Sequence, residues 1–240
     1  METETETASS TLRMAGAARD LQAAWTAGGM EHLYYLAART ALASVDGATA
    51  AGLSLVRRKE KIRIHGATDP IVERIGALQD ELEEGPCIEA VWEQPVVHSD
   101  DLLDEPRFPA WAAAVVDETG VRSALSVRIF THGGTLGALC LYSREPHAFD
   151  EEAVDCAVAL AAHIAVAVAG AEDVEGLRVA LDSRTVIGQA TGIVMERYGI
   201  SAPAAFSLLS RVASTAEIKI RQVADELVET GQLRGAPEPG

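Results

Sequence analysis

The chain has 240 residues, of which 48% are hydrophobic and 23% charged, so it is a globular protein of one or two domains and wholesale disorder is excluded. Its formal net charge of −16 argues against nucleic-acid binding by the chain as a whole, because phosphate binding usually leaves a basic footprint. Three widely spaced cysteines without a CxxC pair exclude a disulfide scaffold and a thiolate zinc site, and they fit a reducing cytoplasm.

The N-terminal segment predicts neither a signal peptide nor a membrane anchor. Residues 1–10 alternate Thr and Glu without an apolar run, so we expect a disordered tail, followed by a helix at residues 12–25. The longest apolar run, residues 156–169, is interrupted by His163 and is shorter than the ~18–20 residues of a membrane span. We therefore expect a soluble, cytoplasmic protein.

Residues 30–145 predict a mostly antiparallel sheet with helices, in the order α-β-β-α-β-α-β-β. Helices are predicted at residues 31–45, 70–82 and 108–118, and strands at residues 50–57, 61–68, 95–99, 123–130 and 136–142. Hairpins are indicated by a short basic connection at residues 58–60 and by Gly133-Gly134. An α+β domain of sensor size follows from this pattern.

A long helix is predicted from the candidate N-cap Asp150 to Tyr198, where Gly199 ends it. Residues 153–171 are apolar almost all round, and such a helix needs burial on more than one side. One side can pack on the sheet, and for the other we expect the same helix of a second subunit. The sequence thus predicts a homodimer through residues 150–198, with the central helix of a monomer as the alternative.

The C-terminal residues form a helical module whose charge differs from that of the rest. Helices are predicted at residues 201–213 and 215–230, before a tail at residues 235–240. Between Gly176 and Arg234 there are seven basic and six acidic residues, so this module carries +1 and the rest of the chain −17. This asymmetry weakens the objection to nucleic-acid binding that the total charge raises.

The sequence contains no recognisable catalytic set. HExxH, GxSxG, P-loop and Rossmann patterns are missing, so we predict no catalytic residues. Four carboxylates crowd residues 100–105 and could hold a cation, but most such runs are solvated surface, and the six histidines are scattered. We therefore expect no metal site, and we expect His163 to be a buried or interface residue rather than a haem ligand.

Cys87 is the candidate redox-sensing residue. It follows Gly85-Pro86 and precedes a helix-like stretch, and a helix N-terminus lowers the pKa of a thiol. The alternative is a small apolar loop residue, and for Cys140 and Cys156 we expect core positions.

Residues 188–195 (GQATGIVM) are unusual for the interior of a helix. Two glycines and a threonine cost about 2 kcal/mol relative to alanine. A helix face with small side chains lets another helix, or a ligand such as a nucleic acid, approach the backbone closely. The composition alone does not distinguish helix packing from ligand binding.

Residues 184–231 resemble the ANTAR domain, an RNA-binding antiterminator module. The matching features are IGQATGIVMER at residues 187–197, Ala205-Phe206, Leu208-Leu209, Ala213 and Val223-Ala224. Thr191 departs from the pattern, because many members have Lys there. The resemblance implies binding to paired RNA stem-loops in nascent transcripts, which favours an antiterminator over a terminator hairpin.

Residues 30–170 resemble a GAF domain of the kind that is fused to ANTAR. The matching segments are EGPCIEA at residues 84–90, DL at 101–102, RFPAW at 107–111, GVRSALS at 120–126, LGALCLYS at 136–143 and AFD at 148–150. GAF domains bind varied small ligands, so the resemblance implies a sensor without naming its ligand.

In the C-terminal module, RNA contacts are expected from the small-residue face and from basic side chains. Base contacts are expected from Gln189, Ala190, Thr191, Gly192 and Met195, and phosphate contacts from Arg184, Arg197, Arg211, Lys219 and Arg221. Arg197 and Arg211 could equally form salt bridges within the bundle. The residues expected in the core of the module are Ile187, Val194, Phe206, Leu208, Leu209, Ile220, Val223 and Leu227.

The sequence thus predicts an α+β regulator rather than an enzyme. Its expected parts are a tail and helix (1–29), a GAF-type antiparallel sheet with flanking helices (30–170), an all-α three-helix ANTAR module (171–234) and a tail (235–240). Two alternatives remain. One is a DNA-binding transcription factor, because three short helices also suit a helix-turn-helix. The other is a methionine sulfoxide reductase-like enzyme, which needs two pocket thiols that the sequence gives no reason to place together.

Overall fold

The computed structural model describes residues 28–56 and 63–235. The chain divides into two units inside one long helix, between Glu172 and Asp173. The following predicted segments lie outside the described residues: the tail at 1–10, the helix at 12–25, the basic connection at 58–60 and, except for Gly235, the tail at 235–240.

The first unit contains a five-stranded sheet with helices on its faces. Its strands are β1 (Ala50–Leu55), β2 (Arg63–His65), β3 (Val96–Ser99), β4 (Ser123–Thr131) and β5 (Gly134–Ser143). Its helices are α1 (residues 28–44), α2 (Pro70–Leu82), α3 (Pro86–Trp92), α4 (Pro109–Thr119) and the first part of α5 (Glu151–Tyr198). The strand order is β2-β1-β5-β4-β3 and every neighbouring pair is antiparallel, which confirms the predicted class.

The sheet carries a hydrophobic core on each face, because successive side chains of a strand point to opposite sides. Leu139 and Leu141 of β5 belong to the core that contains α1 and the first part of α5. Cys140 and Tyr142, which alternate with them, belong to the core that contains α2, α3 and α4. The second face is therefore the one on which Cys140 and Cys87 lie.

Local signals fix where the helices of this second face begin. α2, α3 and α4 each begin at a proline, whose fixed φ suits a first helical turn and whose missing N–H is not needed there. Asp69 caps α2 by accepting a hydrogen bond from the backbone N–H of Ile71 (2.9 Å). α3 begins directly after Gly85, so Cys87 lies in its first turn.

Helix α5 is buried on one side in its first part. Leu160, Ile164 and Val168 are at most 2% exposed, whereas Val166 is 74% exposed. By length and composition alone α5 could cross a membrane. The sequence-based expectation considered only the uninterrupted apolar run of fourteen residues, which is too short for a span. The length and composition of α5 are weak evidence for a span, because core helices of water-soluble domains pass the same test; 39% of the apolar stretch of α5 is buried.

The second unit is formed by the last part of α5 with α6 (Ala202–Thr215) and α7 (Ile220–Thr230), which confirms the predicted three-helix module. The fully buried side chains of its core are Ala190, Val194, Ala205, Leu209, Val223, Ala224 and Leu227. Ile187, Leu208 and Ile220, which were expected in this core, are half-buried and pack against it.

The expectation that Phe206 belongs to this core is wrong, because its side chain is 48% exposed. Ala205, Leu209 and Ala213 form the buried stripe of α6 at a spacing of four residues. Phe206 follows Ala205 directly, and one residue turns a helix by about 100°, so its ring points away from that stripe.

Candidate functional site

A pocket of about 380 Å³ lies in the first unit, between the sheet and α2 and α3. Its buried lining includes Ser54, Gln79 and Cys87, and exposed charged side chains such as Arg63 and Glu73 also line it. The volume is within the range of small-ligand sites.

Ser54 gives independent evidence that the pocket receives a polar atom. Its side chain is fully buried, and its hydroxyl has no hydrogen-bond partner among the described residues. An unsatisfied buried hydroxyl costs about 1–3 kcal/mol, and buried polar groups are nearly always paired in native proteins. A ligand or water molecule in the pocket would supply the missing partner.

Cys87 lies at the buried side of this pocket among polar groups. Its Sγ is 3.4 Å from the Ser126 hydroxyl oxygen and 3.5 Å from the Tyr142 hydroxyl oxygen. Its backbone N–H donates to the side-chain oxygen of Gln79 at 3.0 Å. Gly85 makes this last contact possible, because it adopts a φ of 141° and any Cβ there would collide with Gln79.

The structure corrects the expectation that nothing brings Cys87 and Cys140 together. Cys140 lies opposite Ser126 in the β4–β5 ladder and two residues from Tyr142 on the same face of β5. Both residues whose hydroxyls contact Cys87 therefore flank Cys140, and each thiol shifts the pKa of the other. None of the three cysteines takes part in a disulfide within the described residues.

The polar surroundings of Cys87 decide its protonation state. Burial disfavours the charged thiolate, but hydrogen bonds from the neighbouring polar groups, with Cys140 the strongest, outweigh it and lower the pKa of Cys87 to about 6. Burial and the adjacent Cys87 raise the pKa of Cys140 well above its usual value. The pair thus combines one thiolate with one protonated thiol at neutral pH.

The acidic loop at residues 100–105 is partly neutralised by arginines. Asp101 pairs with Arg122 and Glu105 with Arg107, each at 2.6 Å. The hydrogen bond from Arg122 lowers the pKa of Asp101. Among the residues that the structure describes, no group of three or more side chains is arranged to hold a metal ion. These carboxylates therefore stabilise the loop through ion pairs.

In the second unit, one face of α5 is open. A Cβ added at Gly188 or Gly192 would meet no other atom within 4 Å. Gln189 and Met195 are exposed beside them. The small residues therefore do not serve packing against a neighbouring helix within the described part of this chain.

Two of the residues expected to contact RNA bases make contacts within the module instead. Ala190 is fully buried in the core of the second unit, so it cannot touch a bound molecule, and we withdraw it from the contact set. Thr191 is half-buried, and its hydroxyl donates to the carbonyl oxygen of Ile187 at 2.7 Å.

The five expected phosphate-contact residues fall into two groups. Arg197 donates to the carbonyl oxygen of Gly231 at 2.8 Å, and Arg221 donates to Ser183 at 2.9 Å, so both connect helices of the module. The exposed residues are Arg184, Arg211 and Lys219. Within the described part of the chain, neither the Arg184 nor the Arg211 side chain has a hydrogen-bond or ion-pair partner.

Comparison with known families and structures agrees with this architecture. The family model of the GAF domain matches residues 30–169, and that of the ANTAR domain matches residues 175–228. A search of curated proteins finds no match.

Solved structures resemble the chain at low sequence identity. A domain of a two-component sensor histidine kinase protein from Sinorhizobium meliloti is 17% identical, with 62% of this chain and 96% of that chain covered and a TM-score of 0.50. Free methionine-R-sulfoxide reductase from Neisseria meningitidis is 16% identical, with 69% and 93% covered and a TM-score of 0.52. A bacteriophytochrome from R. palustris is 14% identical, with 85% and 45% covered and a TM-score of 0.53. At these identities the likeness shows the fold alone.

The low pKa of Cys87 predicts a thiolate signal in native protein. On titration, the ultraviolet absorbance of thiolate rises with a midpoint near pH 6, and Cys87→Ser abolishes this step. Because the folded pKa lies below the unfolded value, the stability that this group contributes is lost as the pH falls toward about 6. Cys156→Ser is the control and leaves the step in place; a first step only at about pH 8.5, the ordinary thiol range, contradicts the prediction.

Proposed function

The chain belongs to the GAF domain family through residues 30–169 and carries an ANTAR domain at residues 175–228, and from this architecture we propose a cytoplasmic, signal-responsive regulator of transcription termination. Its ANTAR domain binds RNA stem-loops in nascent transcripts. Its GAF domain receives a small ligand or a redox signal in the pocket beside Ser54 and Cys87.

The observation that carries the RNA assignment is the open face of α5 at Gly188 and Gly192. Proteins read RNA sequence mainly from loop bases that are splayed out, and such bases need close access to the protein surface. A helix face without side-chain bulk gives this access. Gln189 lies beside it and offers both a donor and an acceptor to a base edge, and Met195 offers an exposed apolar surface.

Basic side chains of the module supply the phosphate contacts. Arg184, Arg211 and Lys219 are exposed, and exposed cations are available to phosphates without breaking an internal contact. Arg197 and Arg221 hold helices of the module together and orient the surface instead. Of the five phosphate-contact residues that the sequence suggests, three are thus proposed to contact phosphate and two to hold the module together.

We further propose that two copies pair through α5. Val174, Leu177 and Leu181 are 45–65% exposed, and with Gly170 they repeat at alternating spacings of four and three residues. This repeat has the spacing of the seam in a two-stranded coiled coil, and a row of exposed apolar side chains favours an interface. A second copy covers this seam and gives the regulator two ANTAR domains, one for each of two stem-loops.

Gly192→Leu tests the RNA-reading face. Thermal stability holds or rises slightly, because leucine is a better helix former and its Cβ meets no neighbour, whereas RNA affinity falls by about tenfold or more. The measurement is a gel shift with an RNA of two adjacent stem-loops, selected from a pool with randomised loops. Ala190→Leu is the matched control and shows how overpacking of the same helix appears in the melting curve, because a leucine at this buried site costs about 1–3 kcal/mol of stability.

Two outcomes contradict this assignment. Normal RNA binding by folded Gly192→Leu moves the reading surface elsewhere on the module. Stronger binding of wild-type protein to duplex DNA of the same length favours the alternative of a DNA-binding transcription factor.

Arg184→Ala and Lys219→Ala test the phosphate contacts. Each variant weakens binding to all stem-loops alike and reduces the slope of log affinity against log salt concentration by about 0.7–0.9, as expected when one released counterion is lost. Arg74→Ala, which removes an exposed cation from the GAF domain, leaves both quantities unchanged. An unaltered salt slope in the two module variants excludes them from the contact set.

The double variant Leu177→Glu with Leu181→Glu tests the dimer. Light scattering gives a dimer for the wild-type protein at micromolar concentration and a monomer for the variant, because opposed carboxylates repel each other in the seam. The matched control is Leu103→Glu, a similarly exposed leucine away from α5, which remains dimeric. A monomeric wild-type protein removes the basis for the seam.

A further inference from the structure

We infer that Cys87 and Cys140 form a two-thiol switch at the GAF pocket, which a hydroperoxide closes into a disulfide within the domain. This inference rests on the proposed sensor function and names oxidants as the class of signal that its pocket receives. Cys140, which the sequence assigns to the core, becomes the second functional residue.

The arrangement of the side chains places the two thiols in one polar cluster. Ser126 and Tyr142 both contact the Cys87 sulfur, at 3.4 Å and 3.5 Å. Cys140 is the cross-strand partner of Ser126 and shares its face of β5 with Tyr142. From this position each thiol shifts the pKa of the other, downward for Cys87 and upward for Cys140.

The pocket distinguishes the two thiols. Cys87 is fully buried and borders the pocket, whereas Cys140 is not part of the lining. A hydroperoxide of a few atoms fits a space of about 380 Å³. Cys87 is therefore attacked first, and Cys140 reacts only through Cys87.

The chemistry balances with the hydroperoxide as the only oxidant. The Cys87 thiolate attacks the O–O bond and becomes a sulfenic acid, while the other oxygen leaves with a proton as water or an alcohol. The Cys140 sulfur then attacks the sulfenic sulfur, the S–S bond forms, and the sulfenic oxygen leaves as water with the Cys140 proton. The two thiols lose two electrons, and the peroxide bond takes them up.

The polar neighbours of the pair suit the first of these steps. The nucleophile is the thiolate, and the hydroxyls of Ser126 and Tyr142 stabilise it in a buried place where it would otherwise be protonated. Oxidation removes the negative charge that these hydroxyls bind. The contacts between α3, β4 and β5 must then change, which alters the buried lining of the pocket.

Cys156 is an internal control within the same chain. It packs against the core on the opposite face of the sheet, and its thiol donates to the carbonyl oxygen of Ser44 at 3.4 Å. It is therefore separated from Cys87 and Cys140 by the sheet itself. A general oxidative lesion reaches Cys156, whereas the switch leaves it reduced.

The test treats the full chain with equimolar hydrogen peroxide and counts thiols after denaturation and alkylation. Free thiols fall from three to one per chain, the remaining one is Cys156, and a linked Cys87–Cys140 peptide appears in the mass spectrum. Dithiothreitol restores all three thiols. A disulfide that involves Cys156, a disulfide between chains, or Cys140 still alkylated after full oxidation of Cys87 overturns the inference.

Single variants assign the order of the two steps. Cys140→Ser stops at the sulfenic acid of Cys87, which dimedone traps, and Cys87→Ser leaves Cys140 unreacted. Melting curves verify that each variant is folded. If a variant does not fold, the inference is judged from the linked Cys87–Cys140 peptide of the wild-type protein alone. Oxidation of Cys140 in folded Cys87→Ser overturns the assigned order.

The failure of this inference is distinguishable from that of the proposed function. RNA binding is measured on the fully reduced protein, so it does not depend on whether the disulfide forms. Free methionine sulfoxide with dithiothreitol is the second oxidant assayed, and no turnover is expected. Sustained production of methionine overturns the switch and reassigns the thiol pair to a reductase.

Discussion

The alternation of side chains along β5 is the constraint on which the first unit depends. Because the period of a strand is two residues, Leu139 and Leu141 must face one side and Cys140 and Tyr142 the other. β5 is the central strand and is paired on both edges, so neither set can slip. One face thus becomes the core under α1 and α5, and the other becomes a core with a cluster of polar groups beside a pocket.

The polar groups on this second face are compatible with burial because they satisfy one another. The thiol of Cys87 and the hydroxyls of Ser126 and Tyr142 form one contact cluster, and Gln79 binds the backbone beside it. The Ser54 hydroxyl has no partner among the described residues, and it lies where the pocket approaches the sheet. A site for a small molecule and a site for thiol chemistry therefore share one lining.

Helix α5 shows how one element serves two purposes through a change in its burial. In the first unit its apolar side chains fill a core, with Ile164 1% exposed. In the second unit its buried stripe is reduced to small and β-branched side chains such as Ala190 and Val194, and glycines leave the other side open. The same 48-residue helix thus supports the sensor core and presents the surface proposed to bind RNA.

The sequence by itself determined most of the elements, because apolar periodicity, proline starts and glycine stops act within a few residues; helix α3 was missing from the predicted order. The α+β class, the three-helix module, α5 and the candidate role of Cys87 followed from these local patterns and from motifs. Only the tertiary structure decided which side chains meet: Ser126 and Tyr142 lie 39 and 55 residues from Cys87 in the chain. The burial of Ala190 and the exposure of Phe206 were likewise decided by which helix faces pack together. Strand register and helix packing join distant segments, and no local pattern specifies them.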